Sequence, residues 1–195
     1  MRNDGASKRL TEAEYLAMER ASEVRHEFVG GSVFAMAGGS DRHNAIAANL
    51  VGELRTRLRG GPCRPVGSDQ RHRLADSSDY VYPDVVVRCR DGSDEPVTKV
   101  VFEVLSKSTE AWDRGDKFAR YQRDPAIEEV VLVSQRQRRV EHYRRVEVGR
   151  WSLSIYGGSD EVELPALGIG LPMDEIYLDV ARERSDDPDD PYALG

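Results

Sequence analysis

The chain has 195 residues, 39% hydrophobic and 32% charged, with a formal net charge of -7. That length and balance suit one domain able to bury roughly 70% of its unfolded surface, with no run of about 20 apolar residues to form a membrane helix. The acidic balance argues against coating nucleic acid by bulk electrostatics, yet leaves room for a local basic patch or a bound cation to meet phosphates.

Residues 1–9 lack the apolar core of a secretory signal, so they are expected to form a flexible leader and the protein to stay in the cytoplasm. Leu10 through Tyr15 then reads as a helix start. Thr11 is the N-cap, Glu14 closes a capping box, and Leu10 can staple against Tyr15. Two short strands are expected over 25–29 and 32–37, turned by Gly30-Gly31. Ser40 can cap a long amphipathic helix in which His43, Ile46, Leu50, Leu54 and Leu58 recur at helical spacing, stopped by Gly60-Gly61-Pro62.

Arginine-rich strands are expected over 63–66 and 70–74, and Val-rich strands, buried on both faces, over 82–89 and 98–105. A helix capped by Ser108 or Thr109 should run to about residue 123, where Asp124-Pro125 stops it. Strands over 130–134, 139–146, 151–156 and 160–164, then a short helix over 173–178, complete the order. The fold class expected is mixed α/β, with a central mixed sheet flanked by helices, in one domain over 10–180. Residues 181–195, acidic and poor in apolar side chains, are expected to be a mobile tail. Cys63 and Cys89 show neither CxxC spacing nor a neighbouring histidine pattern, which favours reduced thiols over a zinc site.

The chemistry concentrates in 81–121. Each of its two apolar runs carries one carboxylate, Asp84 and Glu103. If the runs are sheet neighbours, the two negative charges approach each other in an apolar setting, where a cation is the economical partner. Hard oxygen ligands favour Mg2+ or Mn2+. Such an ion polarises a phosphoryl oxygen and lowers the pKa of a bound water. Plainer explanations exist: Asp84 can cap the turn after Pro83, and Glu103 can pair with a core-lining Arg or Lys.

These residues carry a family resemblance. Pro83-Asp84, Glu103-Val104-Leu105-Ser106 and the segment STEAWDRGDKFARYQ resemble the Uma2 family (DUF820), which has a restriction-endonuclease-like PD-(D/E)XK fold. The likeness spans most of 10–145, including His26-Glu27-Phe28-Val29-Gly30-Gly31 and the His43 helix. It implies a metal-dependent endonuclease with nucleic acid, DNA before RNA, as substrate, and a homodimer. Asp84, Glu103 and Glu27 would hold the metal. The lysine usual two places after the motif glutamate is Leu105 here, and Lys117 would take its part. The alternative is a nuclease fold kept for binding or dimerisation without catalysis.

The remaining candidates each have a structural explanation. Lys117 could form a surface helix salt bridge with Asp113 four residues earlier. Glu27 could be a half-exposed strand carboxylate, and His43 a satisfied core histidine. Lys107 lies nearer Glu103 in sequence, but Ser106 and Ser108 suggest a turn there. Gln70, between Arg71 and Arg73, could reach a substrate or simply face solvent. The arginines at 136, 138, 139, 144 and 145 could contact phosphates or line a solvated strand face.

Overall fold

The computed structural model describes residues 9–180 apart from 37, 76, 91, 93, 94 and 108. The expected leader up to residue 8, the Ser108 cap and the acidic tail lie outside the described residues. Thr11 caps helix α1 (Glu12–Ala21) through the full reciprocal box: its hydroxyl accepts the Glu14 amide and the Glu14 carboxylate accepts the Thr11 amide. Two amides orphaned by the helix start are thereby satisfied. Tyr15 is buried in a stack on Phe28, with Leu10 packed beside it.

Strands β1 (His26–Val29) and β2 (Ser32–Ala35) form the expected hairpin. Gly30 and Gly31 both have positive φ, which a two-residue turn of this kind demands and side chains resist. Ser40 caps α2 (Asp41–Arg57) by accepting the His43 amide, and Ile46, Leu50 and Leu54 are fully buried along one stripe.

Pro83 decides where the central sheet begins. In place of the single strand expected over 82–89, the chain forms β5 (Tyr80–Val81) in a four-stranded sheet, breaks, and re-enters as β6 (Val85–Cys89) in a six-stranded one. Proline has no N–H for a ladder, so the break falls there. Asp84 is left at the joint. The small sheet runs β2-β1-β5-β4, where β4 is only His72–Arg73 of the strand expected over 70–74.

The large sheet has the order β10-β9-β8-β7-β6-β3, with β3 Cys63–Gly67, β7 Val97–Leu105, β8 Glu129–Ser134, β9 Arg139–Glu147 and β10 Arg150–Gly157. Among the described strands only β7 and β8 pair in parallel, so a crossover must join them. The crossover is not the single helix expected. It consists of α3 (Glu110–Trp112), a wide π-type turn over Asp113–Lys117, and α4 (Phe118–Arg123), because the backbone at Gly115 departs from helical geometry. Valines of β6, β7 and β8 fill both faces of the sheet, each burial contributing about 1.5–3 kcal/mol. On one face lie α2, the hairpin β11 (Glu161–Leu164) and β12 (Ile169–Pro172), and α5 (Met173–Ile176). Strand β12, with a glycine and a proline in four residues, carries little strand signal. On the other face lie Tyr121, Phe118 and Trp112 of the crossover.

The cysteine expectation is corrected. Cys63 and Cys89 form a disulfide. They are 26 residues apart in sequence, but β3 and β6 pair antiparallel with these two residues directly opposite, a register no spacing rule shows. Closing a loop of that size restricts the unfolded chain by about 3.5 kcal/mol. The double variant Cys63→Ser/Cys89→Ser should therefore melt roughly 7–14 °C lower, at about 2–4 °C per kcal/mol for this length. Thiol titration of the unreduced native protein should find no free thiol, and equal melting of both proteins would refute the cross-link.

Candidate active site

Glu103 and Asp84 are brought together by sheet register. Val85 pairs with Phe102 across β6 and β7, and one step further brings Asp84 level with Glu103. Opposed residues of antiparallel strands point to the same face. Asp84 Oδ2 accepts the Val104 amide at 2.7 Å, fixing the carboxylate across the strand pair. Glu103 is 1% exposed and projects towards the crossover, where the Tyr121 hydroxyl donates to its Oε1.

Lys117 reaches into this pocket. Its ammonium lies 2.9 Å from Glu103 Oε1, 3.1 Å from Glu27 Oε1 and 3.6 Å from Asp113 Oδ1. The salt bridge to Asp113 thus exists, but it is buried and shared with two further carboxylates instead of lying on the surface. Glu27, on β1, also accepts the Tyr82 amide at 3.1 Å and the Trp112 indole N–H at 3.0 Å. Both of its oxygens accept from protein donors, and Oε1 also faces the Lys117 ammonium.

His43 stands at the start of α2 with Nε2 3.1 Å from Asp84 Oδ2. The hydrogen bond to Asp84 holds its pKa above the ordinary 6.5, against the pull of burial. A raised histidine stabilises the fold fully below pH 6.5, and that contribution fades as pH rises through the folded value. In metal-free protein, the NMR titration midpoint of His43 should fall in Asp84→Asn, where burial acts without the carboxylate; an unmoved midpoint would refute the coupling.

The charges do not balance. Glu27, Asp84, Glu103 and Asp113 face one lysine and one histidine. Burial pushes the Glu103 carboxyl well up, with the Lys117 charge opposing and Asp84 and Asp113 adding to the rise. Burial likewise raises Asp113. Burial works against a charged Lys117, but Glu103, Glu27 and Asp113 outweigh it and keep the ammonium protonated. Carboxyls pushed towards neutrality beside a charged lysine mark a pocket short of positive charge.

That shortage fits a divalent ion. Among the described residues no three His, Cys, Asp or Glu side chains form a ready metal cage. Mg2+, however, is commonly held by one or two carboxylates, with water and substrate phosphate completing its shell. Asp84 Oδ1 and Glu103 Oε2 are hard oxygens with no hydrogen bond to the described residues.

Sequence reasoning missed Tyr121 as a member of the cluster and placed Asp113 only in a surface salt bridge. Tyr121 and Asp113 sit four residues either side of Lys117, and that i, i+4, i+8 spacing was the available signal for a shared helix face. Two named candidates stay outside. Gln70 is exposed and donates to the carbonyl of Arg71. Lys107 is exposed in the turn after β7.

The chain is similar to several known proteins. The profile of a family described as "Uma2: Putative restriction endonuclease" matches residues 12–175. Two proteins of Synechocystis sp. strain PCC 6803, both described as uncharacterized, are similar: slr1290 is 35% identical over 89% of this chain and 94% of its own length, and sll1609 is 34% identical over 84% and 97%. A crystal structure from Anabaena variabilis, titled a "putative nuclease belonging to DUF820", superposes with TM-score 0.70 at 16% identity, covering 86% of this chain and 97% of that one. Its likeness shows a shared fold, a central mixed sheet flanked by helices. No helix among the described residues is long and apolar enough to cross a membrane.

Proposed function

The chain belongs to the Uma2 family, and from that premise and the carboxylate pocket we propose that it hydrolyses phosphodiester bonds of nucleic acid with a divalent metal ion, DNA being the first substrate to test. The observation that carries the proposal is the buried, under-neutralised pair Asp84 and Glu103 beside a charged lysine. These two residues would hold Mg2+ or Mn2+. When bound, the ion supplies polarisation of the phosphoryl oxygen and an acidified water. His43 orients Asp84, and Tyr121 fixes Glu103. Lys117 is kept charged by Glu27 and Asp113, so it cannot serve as a proton acceptor. Its part is a fixed positive charge facing the negative charge that develops on the phosphate. The related expectation of a homodimer belongs to the same proposal, and light scattering of the purified chain tests it.

The experiment is cleavage of plasmid and single-stranded DNA with Mg2+, Mn2+ or EDTA, using wild type, Asp84→Asn and Glu103→Gln. Metal-dependent cleavage lost in both variants is expected; cleavage that survives in both would remove the site from the chemistry. One specific observation favours a second reading. Lys117 already contacts three of the carboxylates, which suits a non-catalytic nuclease fold stabilised by its own ion cluster. That reading requires that calorimetry detect no Mn2+ binding to wild type.

A further inference from the structure

A second charged region lies around the open edge of the large sheet. Arg55 lies in the last turn of α2 and Arg59 in the turn after it, Arg64 sits on the edge strand β3, and Arg88 and Arg90 lie on and just after its neighbour β6. They line two adjoining hollows of about 370 and 390 Å³, and Arg64 and Cys63 belong to both. The disulfide next to Arg64 and Arg88 ties the two strands together, so these side chains rise from a braced floor.

The arginines here differ from Arg138, Arg139 and Arg145, which the fold consumes. Arg138 pairs with Asp174, Arg139 with Glu141, and Arg145 donates to the carbonyls of Gln122, Asp124 and Ile127. By contrast, Arg55, Arg59, Arg64 and Arg90 are exposed and pair with no carboxylate among the described residues. Arg64 and Arg88 are direct cross-strand partners, an arrangement in which like charges repel. In a chain of net charge -7, four exposed arginines that pair with no described carboxylate, with Arg88 beside them donating to the Pro96 carbonyl, call for an external anion.

We propose that this arginine edge is a metal-independent binding site for the sugar-phosphate backbone of a nucleic-acid duplex. The choice of nucleic acid rests on the nuclease reading above. Geometry supports it: Asp84 and Arg90 lie at opposite ends of β6, six residues or about 20 Å apart. That span is about six base pairs along a duplex, at 3.4 Å each. One duplex can therefore contact the arginines while a phosphate several pairs away reaches the carboxylates. Such contacts carry no sequence information; they set register and orientation.

Charge on an open edge strand also prevents sheet-to-sheet association. Glutamates would do that equally well, so charge reversal separates the two roles. The test uses Arg55, Arg59 and Arg64, which lie outside the acidic segment of Asp91, Asp94 and Glu95 that follows Arg90 in the chain. Anisotropy of a labelled duplex of about 20 base pairs is followed in EDTA from about 50 to 200 mM salt. The triple Arg→Glu variant should bind at least tenfold more weakly, with a log–log salt slope shallower by about 2.7, at 0.9 for each lost phosphate contact. The triple Arg→Lys variant should keep the wild-type slope. Binding is read in EDTA, where the proposed metal-dependent cleavage is silent, so a failure of the cleavage proposal leaves this result readable on its own. Wild-type affinity and slope in the glutamate variant would overturn the site. So would displacement of the duplex by inorganic phosphate, at matched ionic strength, as readily as by unlabelled duplex.

Discussion

Lys117→Met should lower the stability of the metal-free protein by about 3–5 kcal/mol, the usual consequence of removing one member of a buried ion cluster. Methionine nearly fills the space, so the loss comes from charge and not from a cavity. It leaves Glu27, Glu103 and Asp113 facing one another with no cation among them. The pH dependence identifies the cause. Carboxyls whose folded pKa is raised above 4.5 bind more protons folded than unfolded, so their cost is absent at low pH and grows as pH rises towards the folded values. Glu103 and Asp113 already lie on that side in the wild type, and removing the lysine pushes them further. Urea unfolding at several pH values should therefore show the two proteins converging near about pH 4 and separating towards neutrality. Lys117→Arg, which keeps the charge, should lose less than Lys117→Met. A pH-independent deficit would mean that packing, and not the cluster, was disturbed.

The sequence shows the two carboxylate-bearing strands because valine runs with a single acidic interruption are rare and costly. It shows the capped helices for a similarly local reason: a capping box uses neighbours three residues apart. What it cannot show is decided by register and by chain breaks. His43 meets Asp84, and Cys63 meets Cys89, only because particular elements lie side by side. Glu27 was legible as a candidate, but its binding of Lys117, Tyr82 and Trp112 depends on the small sheet docking against the crossover. The break at Pro83 is written in the sequence, yet the valine content that follows argues for a longer strand than the missing N–H permits. The kink at Gly115 aims Lys117 and Asp113 inwards, so a residue pair with the spacing of a surface salt bridge becomes interior.

Asp84→Asn and Glu103→Gln should each reduce metal-dependent cleavage by about 10²–10³-fold, the scale of removing one preorganised electrostatic group. Both amides match the carboxylates in size. In Asp84→Asn the side-chain carbonyl can still accept the Val104 amide, so the strand pairing survives and the deficit falls on the anionic oxygens available to a metal. In Glu103→Gln the argument is sharper. Burial already drives this carboxyl towards its neutral form, so a neutral amide should cost little folding stability and can raise it, while activity collapses. Opposite movement of stability and activity is a signature that a purely structural Glu103 would not produce. The double variant should be scarcely less active than either single one, since two ligands of one ion act as a unit and their losses do not add. Rates measured across Mn2+ concentrations complete the test: each single variant should need more Mn2+ for half-maximal cleavage. Additive losses with an unchanged Mn2+ requirement would separate the two carboxylates and end the case for a shared ion.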